Sequence, residues 1–316
     1  MKHVFIVNPA AGPYNAEDKV RSCLAGAGQD WEIYRTAGRG DATRYIRRRC
    51  SESNEPIRFY ACGGDGTIKE TAEGVVGFPH AEMSCIPCGS GNDFVKYYGG
   101  KDAFFDIPAL MNRRAEKIDV IRVNDSYALN ACHFGLDTAV AKTMTRLRRI
   151  PLFGGRMAYF TGVAKAFFFS MKSHATIIVD GEKVIEDAFL LCTVANGHYV
   201  GGSFHCAPRS YANDGLLDVC IVRPVSRYRF IRLVPFYTRG EHLDDPRFEG
   251  IIEYRRAKRV EVFSPKKNFA VSLDGEILDT QHLTAEVLPG AISFAAPRPS
   301  IMEMPRAAEL PGAVQA

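Results

Sequence analysis

No stretch of the chain reaches the roughly 18 consecutive apolar residues that a bilayer-crossing helix needs, and the nearest, Met157 to Met171, is interrupted by Lys165. Any membrane association is therefore expected to be peripheral. The opening run Val4-Phe5-Ile6-Val7 is cut off by Asn8-Pro9 and lacks the length and cleavage site of a secretory signal. It reads as a first strand. Charge of one sign is scarce: 40 Lys+Arg against 36 Asp+Glu leave +4, too small a surplus to mark a nucleic-acid protein. No nucleic-acid partner is expected. Nine cysteines, an odd number at irregular spacings, give no disulfide framework and suit a reducing, cytoplasmic setting. Cys85-x-x-Cys88 has no second pair at zinc spacing. The P-loop pattern is missing, and so is G-x-G-x-x-G in a strand-turn-helix setting, so ordinary nucleotide folds fit poorly. No tandem repeat is present.

What is there is enough for two domains. The 316 residues are about twice one ordinary domain of roughly 100–200 residues, and 46% hydrophobic residues can supply a core to each half. The first third alternates strand and helix signals: Val4–Val7, a helix near Ala16–Ala25, Glu32–Tyr34, a helix through Asp41–Cys50, and Ile57–Ala61. That is βαβ rhythm, and it places polar loops at the carboxyl edge of a sheet, where open α/β sheets bind ligands. From about Ile121 the pattern turns β-rich, with runs such as Tyr127–Cys132, Ala175–Val179, Ala188–Ala195, Leu217–Val222 and Phe269–Leu273, which predicts a second, largely antiparallel domain.

The sharpest local feature is a strand running into Gly63-Gly64-Asp65-Gly66-Thr67 and then a helix. Glycines let backbone N–H groups approach phosphate oxygens, and the helix N-terminus supplies a positive dipole end. Asp65 could then hold Mg²⁺ or its water; the plainer alternative is a tight turn that needs glycine. A second glycine loop, Pro87-Cys88-Gly89-Ser90-Gly91-Asn92-Asp93-Phe94, also follows a short apolar strand. Near the end, Asp274-Gly275-Glu276 sets two carboxylates around a glycine; either is suited to accept a proton, and an Asp-Gly hairpin turn is the plainer reading.

These two glycine loops together resemble the diacylglycerol kinase catalytic-domain family, most of all its bacterial lipid kinases. Further matching pieces follow in order along residues 1–297: Asn8 to Gly12, Gly40-Asp41-Ala42, Gly135-Leu136-Asp137, Gly201-Gly202, Ala207-Pro208, Asp214 to Asp218, Asp274-Gly275-Glu276 and Leu288-Pro289-Gly290-Ala291. The resemblance implies an N-terminal α/β nucleotide-binding domain of the NAD kinase and diacylglycerol kinase type, residues 1–122 joined by 290–316. A C-terminal β-sandwich-like domain, residues 123–289, would take the lipid, with a cleft between the two. It implies an ATP-dependent lipid kinase whose default acceptor is diacylglycerol, giving phosphatidic acid, with sphingoid bases, phosphatidylglycerol and a polyprenol open as other acceptors. ATP would be lined by Asn8, Pro9, Ala10, Ala11, Gly12, Thr36, Gly63, Gly64, Asp65, Gly66, Thr67, Ile68, Lys69, Ser90 and Asn92. Many relatives carry Thr where this chain has Ser90. The catalytic acids would be Asp65, Asp274 and Glu276, the last two sharing the candidacy for general base. A structural Mg²⁺ would be held by Asp214 with the carbonyls of Tyr211 and Leu216, hard oxygen donors suited to that ion. A homodimer is consistent with the family.

Val140 to Lys172 carries seven Lys/Arg and no Asp/Glu beside Phe153, Tyr159, Phe160 and Phe167 to Phe169. Such a segment suits an anionic bilayer, where each surface cation adds about 1 kcal/mol; an ordinary helix pair covering the sandwich is the alternative. The residues after Pro297 are dominated by Ala, Pro and Glu and are expected to be loosely held. Two other functions stay open at this point. A NAD kinase-like enzyme shares the Gly-Gly-Asp-Gly-Thr turn but has a different second motif, and a non-catalytic nucleotide-binding regulator at the membrane would have less need of Asp65, Asp214, Asp274 and Glu276.

Overall fold

The computed structural model describes residues 1–12, 16–25, 28, 30–136, 138–139, 142 and 171–297. The basic aromatic stretch Val140 to Lys172, apart from Lys142, Met171 and Lys172, lies outside the described residues, as do Asp137 and the tail after Pro297. The described chain divides into two compact units. The first is Met1–Val120 with Tyr211–Gly215 and 288–297, and the second is Ile121–Ser210 with Leu216–Val287.

The first unit is built on parallel strands β1 (Lys2–Val7), β2 (Trp31–Arg35), β3 (Ile57–Gly63) and β4 (Ala81–Pro87) in the order β2-β1-β3-β4. Val4 lies opposite Phe59, and Phe59 opposite Met83. All seven residues of β3 are buried, because a parallel strand is covered on both faces. Helices α1 (Ala16–Leu24), α2 (Asp41–Glu52), α3 (Asp65–Val75), α4 (Asp93–Lys96) and α5 (Ile107–Asn112) complete it. Helices α2 and α3 touch where a Cβ at Gly74 would come within 2.7 Å of Ile46. There the Glu70 carboxylate of α3 accepts from the Gly40 and Ala42 amides at 2.7 and 3.3 Å, closing the N-terminus of α2. The turn Tyr211–Gly215 falls inside the span expected for the second domain but packs with this unit. Buried Asp119 is the reason: its amide donates to the Ala212 carbonyl, and its carboxylate accepts from the Gly215 and Gly290 amides, all at 2.7 Å.

The second unit is a sandwich. Chain order supplies β5 (Glu116–Val123), which begins in the first unit, then β6 (Ser126–Ala128), β7 (Ala131–Gly135), β8 (Ser173–His174), β9 (Thr176–Val179), β10 (Glu182–Ile185) and β11 (Ala188–Phe189). Then come β12 (Leu191–Ala195), β13 (Tyr199–Val200), β14 (Phe204–His205), β15 (Leu217–Val222), β16 (Ile252–Ala257), β17 (Arg259–Phe263), β18 (Phe269–Leu273), β19 (Glu276–Thr280) and β20 (His282–Phe294). One antiparallel sheet runs β16-β15-β12-β7-β18-β19. Its Phe134, Val194, Val219 and Ile221 meet Ile177, Val260, Val262 and Leu283 of β9, β17 and β20 in a common core. Alternation sends Cys220 and Val222 to the other face of that sheet, against Leu233 of helix α6 (Arg227–Thr238).

Two tests follow from buried polar groups. Arg58, 3% exposed, forks onto Glu82 at 2.8 and 2.6 Å and donates to the carbonyls of Leu110, Met111 and Arg113 around the end of α5. Arg58→Ala, which orphans those acceptors, should cost about 3 kcal/mol in urea unfolding, and Arg58→Lys should restore only part of it. His3, 4% exposed against the Tyr60 hydroxyl, is pulled down to about 4 by burial and then by the Arg58 charge. It stays neutral when folded while the unfolded chain binds a proton near 6.5, so this contribution is intact above pH 6.5 and lost as pH falls towards 4. His3→Gln should flatten that part of the stability–pH curve.

Candidate active site

Three loops meet at the carboxyl ends of β1, β3 and β4, the edge at which parallel sheets carry their ligands. Asn8 begins the first loop; its amide donates to the Cys62 carbonyl at 3.1 Å and its side chain donates to Thr67 Oγ1 at 3.1 Å. The Cys88 amide donates to the Gly63 carbonyl at 2.8 Å. Glycine is required by contact: a Cβ on Gly12 would collide with the Cys88 carbonyl, one on Gly63 with the Thr67 side chain, and one on Gly89 would lie 2.5 Å from the Gly64 Cα. Gly66 is different. It is exposed, nothing lies within 4 Å of where its Cβ would be, and its φ is not in the left-handed region. Neither packing nor backbone geometry demands glycine there; the open space stands over the first turn of α3, at the positive end of the helix dipole, where the Thr67 and Ile68 amides donate to the Gly64 carbonyl at 2.9 and 3.1 Å.

Asp65 ties two of the loops together. One carboxylate oxygen accepts from the Asn92 amide and the other from the Asp93 amide, each at 2.7 Å. Burial, reinforced by the Asp93 carboxylate, raises its pKa. Both oxygens are therefore engaged by backbone of the second loop, although each keeps a further lone pair. Asn92 sits in the left-handed region at φ 49 and donates from its side chain to the Gly89 carbonyl at 2.7 Å.

In the second unit, Asp274 and Gly275 form a two-residue hairpin turn with φ 49 and 91, joining β18 to β19 with Leu273 opposite Glu276. The Asp274 carboxylate accepts from the Leu129, Asn130 and Ala131 amides at 2.7, 3.1 and 2.9 Å. That bend separates β6 from β7, where the sequence pattern predicts one strand over Tyr127–Cys132. Asn130 passes the arrangement on: its carbonyl accepts from the Asn196 and Gly197 amides at 2.9 Å and its side chain donates to the Tyr199 carbonyl at 2.6 Å. Glu276 is half-buried at the start of β19.

Residues 2–123 match the model of the diacylglycerol kinase catalytic domain, and residues 130–296 match the YegS C-terminal NAD kinase beta sandwich-like domain. A lipid kinase YegS-like protein of Alcanivorax borkumensis is 30% identical over 82% of this chain and 84% of its own. This chain belongs to the YegS-like and diacylglycerol kinase family of lipid kinases. Among its relatives, a diacylglycerol kinase of Bacillus subtilis is 30% identical over 79% of this chain and 80% of its own. A solved structure from Bacillus anthracis described as a diacylglycerol kinase has the same fold, with TM-score 0.69 and 24% identity over 95% of this chain and 98% of that one.

In this member of the lipid kinase family, the three-loop junction gathers Asn8, Pro9, Ala10, Ala11, Gly12, Gly63, Gly64, Asp65, Gly66, Thr67 and the second loop's Ser90 and Asn92. Thr36 leaves β2 beside it, its amide on the Val7 carbonyl at 2.9 Å. Two expected nucleotide residues sit differently: Ile68 is turned into the core at 1% exposure, and Lys69 is buried with its ammonium on Glu73 at 2.7 Å. Asp119, Asn130 and Asn196, which organise the turns, carry no motif that singles them out; an acid inside the apolar stretch Ile118 to Ile121 is the one available signal for Asp119. Asp214 is half-buried on its turn. Its carboxylate and the flanking carbonyls are oxygen donors of the kind Mg²⁺ prefers; no cluster of three metal-ligating side chains occurs among the described residues. No helix among them is long and apolar enough to cross a membrane.

The glycines give a paired test by urea unfolding. Gly89→Ala forces backbone apart and should cost about 1–3 kcal/mol. Gly66→Ala should be neutral or stabilising by up to about 1 kcal/mol.

Proposed function

We propose that this lipid kinase family member transfers the γ-phosphate of ATP to the hydroxyl of diacylglycerol, giving phosphatidic acid. The observation that carries the nucleotide half is the three-loop junction, with the open space over Gly66 at the N-terminus of α3 as the place for phosphate. Backbone amides and the helix dipole would meet the negative charge there. Mg²⁺ would neutralise charge on the transferring phosphoryl group, and the lone pairs of Asp65 not engaged by Asn92 and Asp93 are the donors offered to it or its water. The turn at Asp214, with the Tyr211 and Leu216 carbonyls, suits a second, structural Mg²⁺.

For the acceptor half, the two carboxylates of Asp274-Gly275-Glu276 divide their roles. Asp274 is held by three backbone amides and shapes the turn. Glu276 is the proposed general base, taking the proton of the attacking hydroxyl. The diacylglycerol kinase of Bacillus subtilis among the relatives supports this acceptor.

The test is transfer of labelled γ-phosphate from ATP into dispersed diacylglycerol, sphingosine, phosphatidylglycerol and a polyprenol, with soluble NAD as control. Label in diacylglycerol is expected; label confined to NAD or to another lipid overturns the acceptor assignment. In the same assay, Glu276→Gln should lower kcat by about 10²–10⁴ with unfolding unchanged. Asp274→Ala should instead destabilise the protein by about 2–4 kcal/mol, because three buried amides lose a charged acceptor.

A further inference from the structure

Helix α6 carries large apolar residues on both of its sides, the outward ones set among arginines. Phe230, Leu233 and Tyr237 pack inward in the cluster that includes Cys220 and Val222. An ordinary surface helix would carry polar residues opposite them, yet Tyr228 is 70% exposed and Ile231 61% exposed. With Arg232, Pro235 and Arg239 they follow the i, i+3, i+4, i+7, i+11 spacing of one stripe. Scattered exposed apolar residues need no explanation; here two of the four large exposed ones among the described residues share one helix face.

The helix and its flanks carry charge of one sign. From Arg223 to Gly240 there are five arginines and no acid. Arg223 and Arg239 pair with Glu253 and Glu241. Arg229 and Arg232 instead donate to the Arg247 carbonyl at 3.3 Å and the Tyr228 hydroxyl at 3.0 Å, neutral acceptors, and neither has an acidic partner among the described residues. Arg232 also lies over the Tyr228 ring, 5.4 Å from its centroid. An aromatic and an aliphatic group flanked by these arginines is the composition of a helix lying in a lipid headgroup layer. A second copy of the chain is a poor occupant, because a two-fold interface centred on this helix would set the arginine stripe against itself.

We propose that the outward stripe of α6, Tyr228, Ile231 and Arg232 with Arg229 beside it, docks on an anionic lipid bilayer. This deepens the lipid kinase reading by naming a surface through which the enzyme meets the membrane that holds its acceptor. Tyr228 and Ile231 insert at headgroup depth, and the two guanidinium groups meet lipid phosphates.

The test is flotation of the full chain with vesicles of equal parts phosphatidylglycerol and phosphatidylcholine, beside pure phosphatidylcholine vesicles. Binding does not require turnover, so its outcome is independent of the acceptor assignment. Wild type should float with the anionic vesicles only. Arg229→Gln/Arg232→Gln should bind them roughly thirtyfold more weakly, at about 1 kcal/mol for each surface cation. Tyr228→Ser/Ile231→Ser should also weaken binding, while both variants keep wild-type activity on detergent-dispersed acceptor. Equal binding by wild type and the arginine variant overturns the proposal. So does no binding by wild type, or a dimer in sedimentation that Ile231→Ser dissolves.

Discussion

The first unit depends on a contact between two pieces of backbone. Gly64 and Gly89 approach so closely that a Cβ on Gly89 would lie 2.5 Å from the Gly64 Cα and one on Gly64 would lie 3.2 Å from the Gly89 Cα, and the Asp65 carboxylate fastens the approach by taking the Asn92 and Asp93 amides. Two βα turns that could each move alone are thereby made one surface. The Asn8 loop joins it through the Cys62 carbonyl and Thr67. What remains open is the space over Gly66, at the positive end of a helix whose first turn is held in place by those contacts.

The same device recurs at three other bends. Asp119 takes the Gly215 and Gly290 amides, Asp180 takes those of Lys258 and Arg259, and Asp274 takes three around Asn130. A short carboxylate has several acceptor positions and no donor when ionised, so it can satisfy consecutive backbone N–H groups that a bend leaves unpaired. This separates the two acids of the terminal motif physically. Asp274 belongs to the scaffold of the turn, while Glu276, one residue past the glycine, stands at the start of β19 with its side chain half-buried.

Most of the architecture was legible because its signals are local. The βαβ alternation and the β-rich second half follow from periodicity, and the glycine loops stood out because glycine before a helix is a backbone statement in itself. Asp274-Gly275 reads in the sequence as a hairpin turn and forms one. Less legible were interactions whose partners are distant in sequence. Nothing near Tyr127 announces that Asp274 will bend the chain at Asn130, 144 residues away. The resemblance puts Lys69 among the residues lining ATP, while in the fold it is buried with its ammonium on Glu73 one turn on. The stripe on α6 is not legible in the sequence, because Tyr228, Phe230, Ile231 and Leu233 are all large and apolar and only the fold shows which of them face outward.

The central claim is that the space over Gly66 receives phosphate. The direct measurement is the calorimetric affinity of ATP with Mg²⁺ for wild type and for Gly66→Leu, with the thermal midpoint of each as control. The account predicts an unchanged midpoint and binding weaker by at least about tenfold. Equal affinity in a folded Gly66→Leu protein would contradict it.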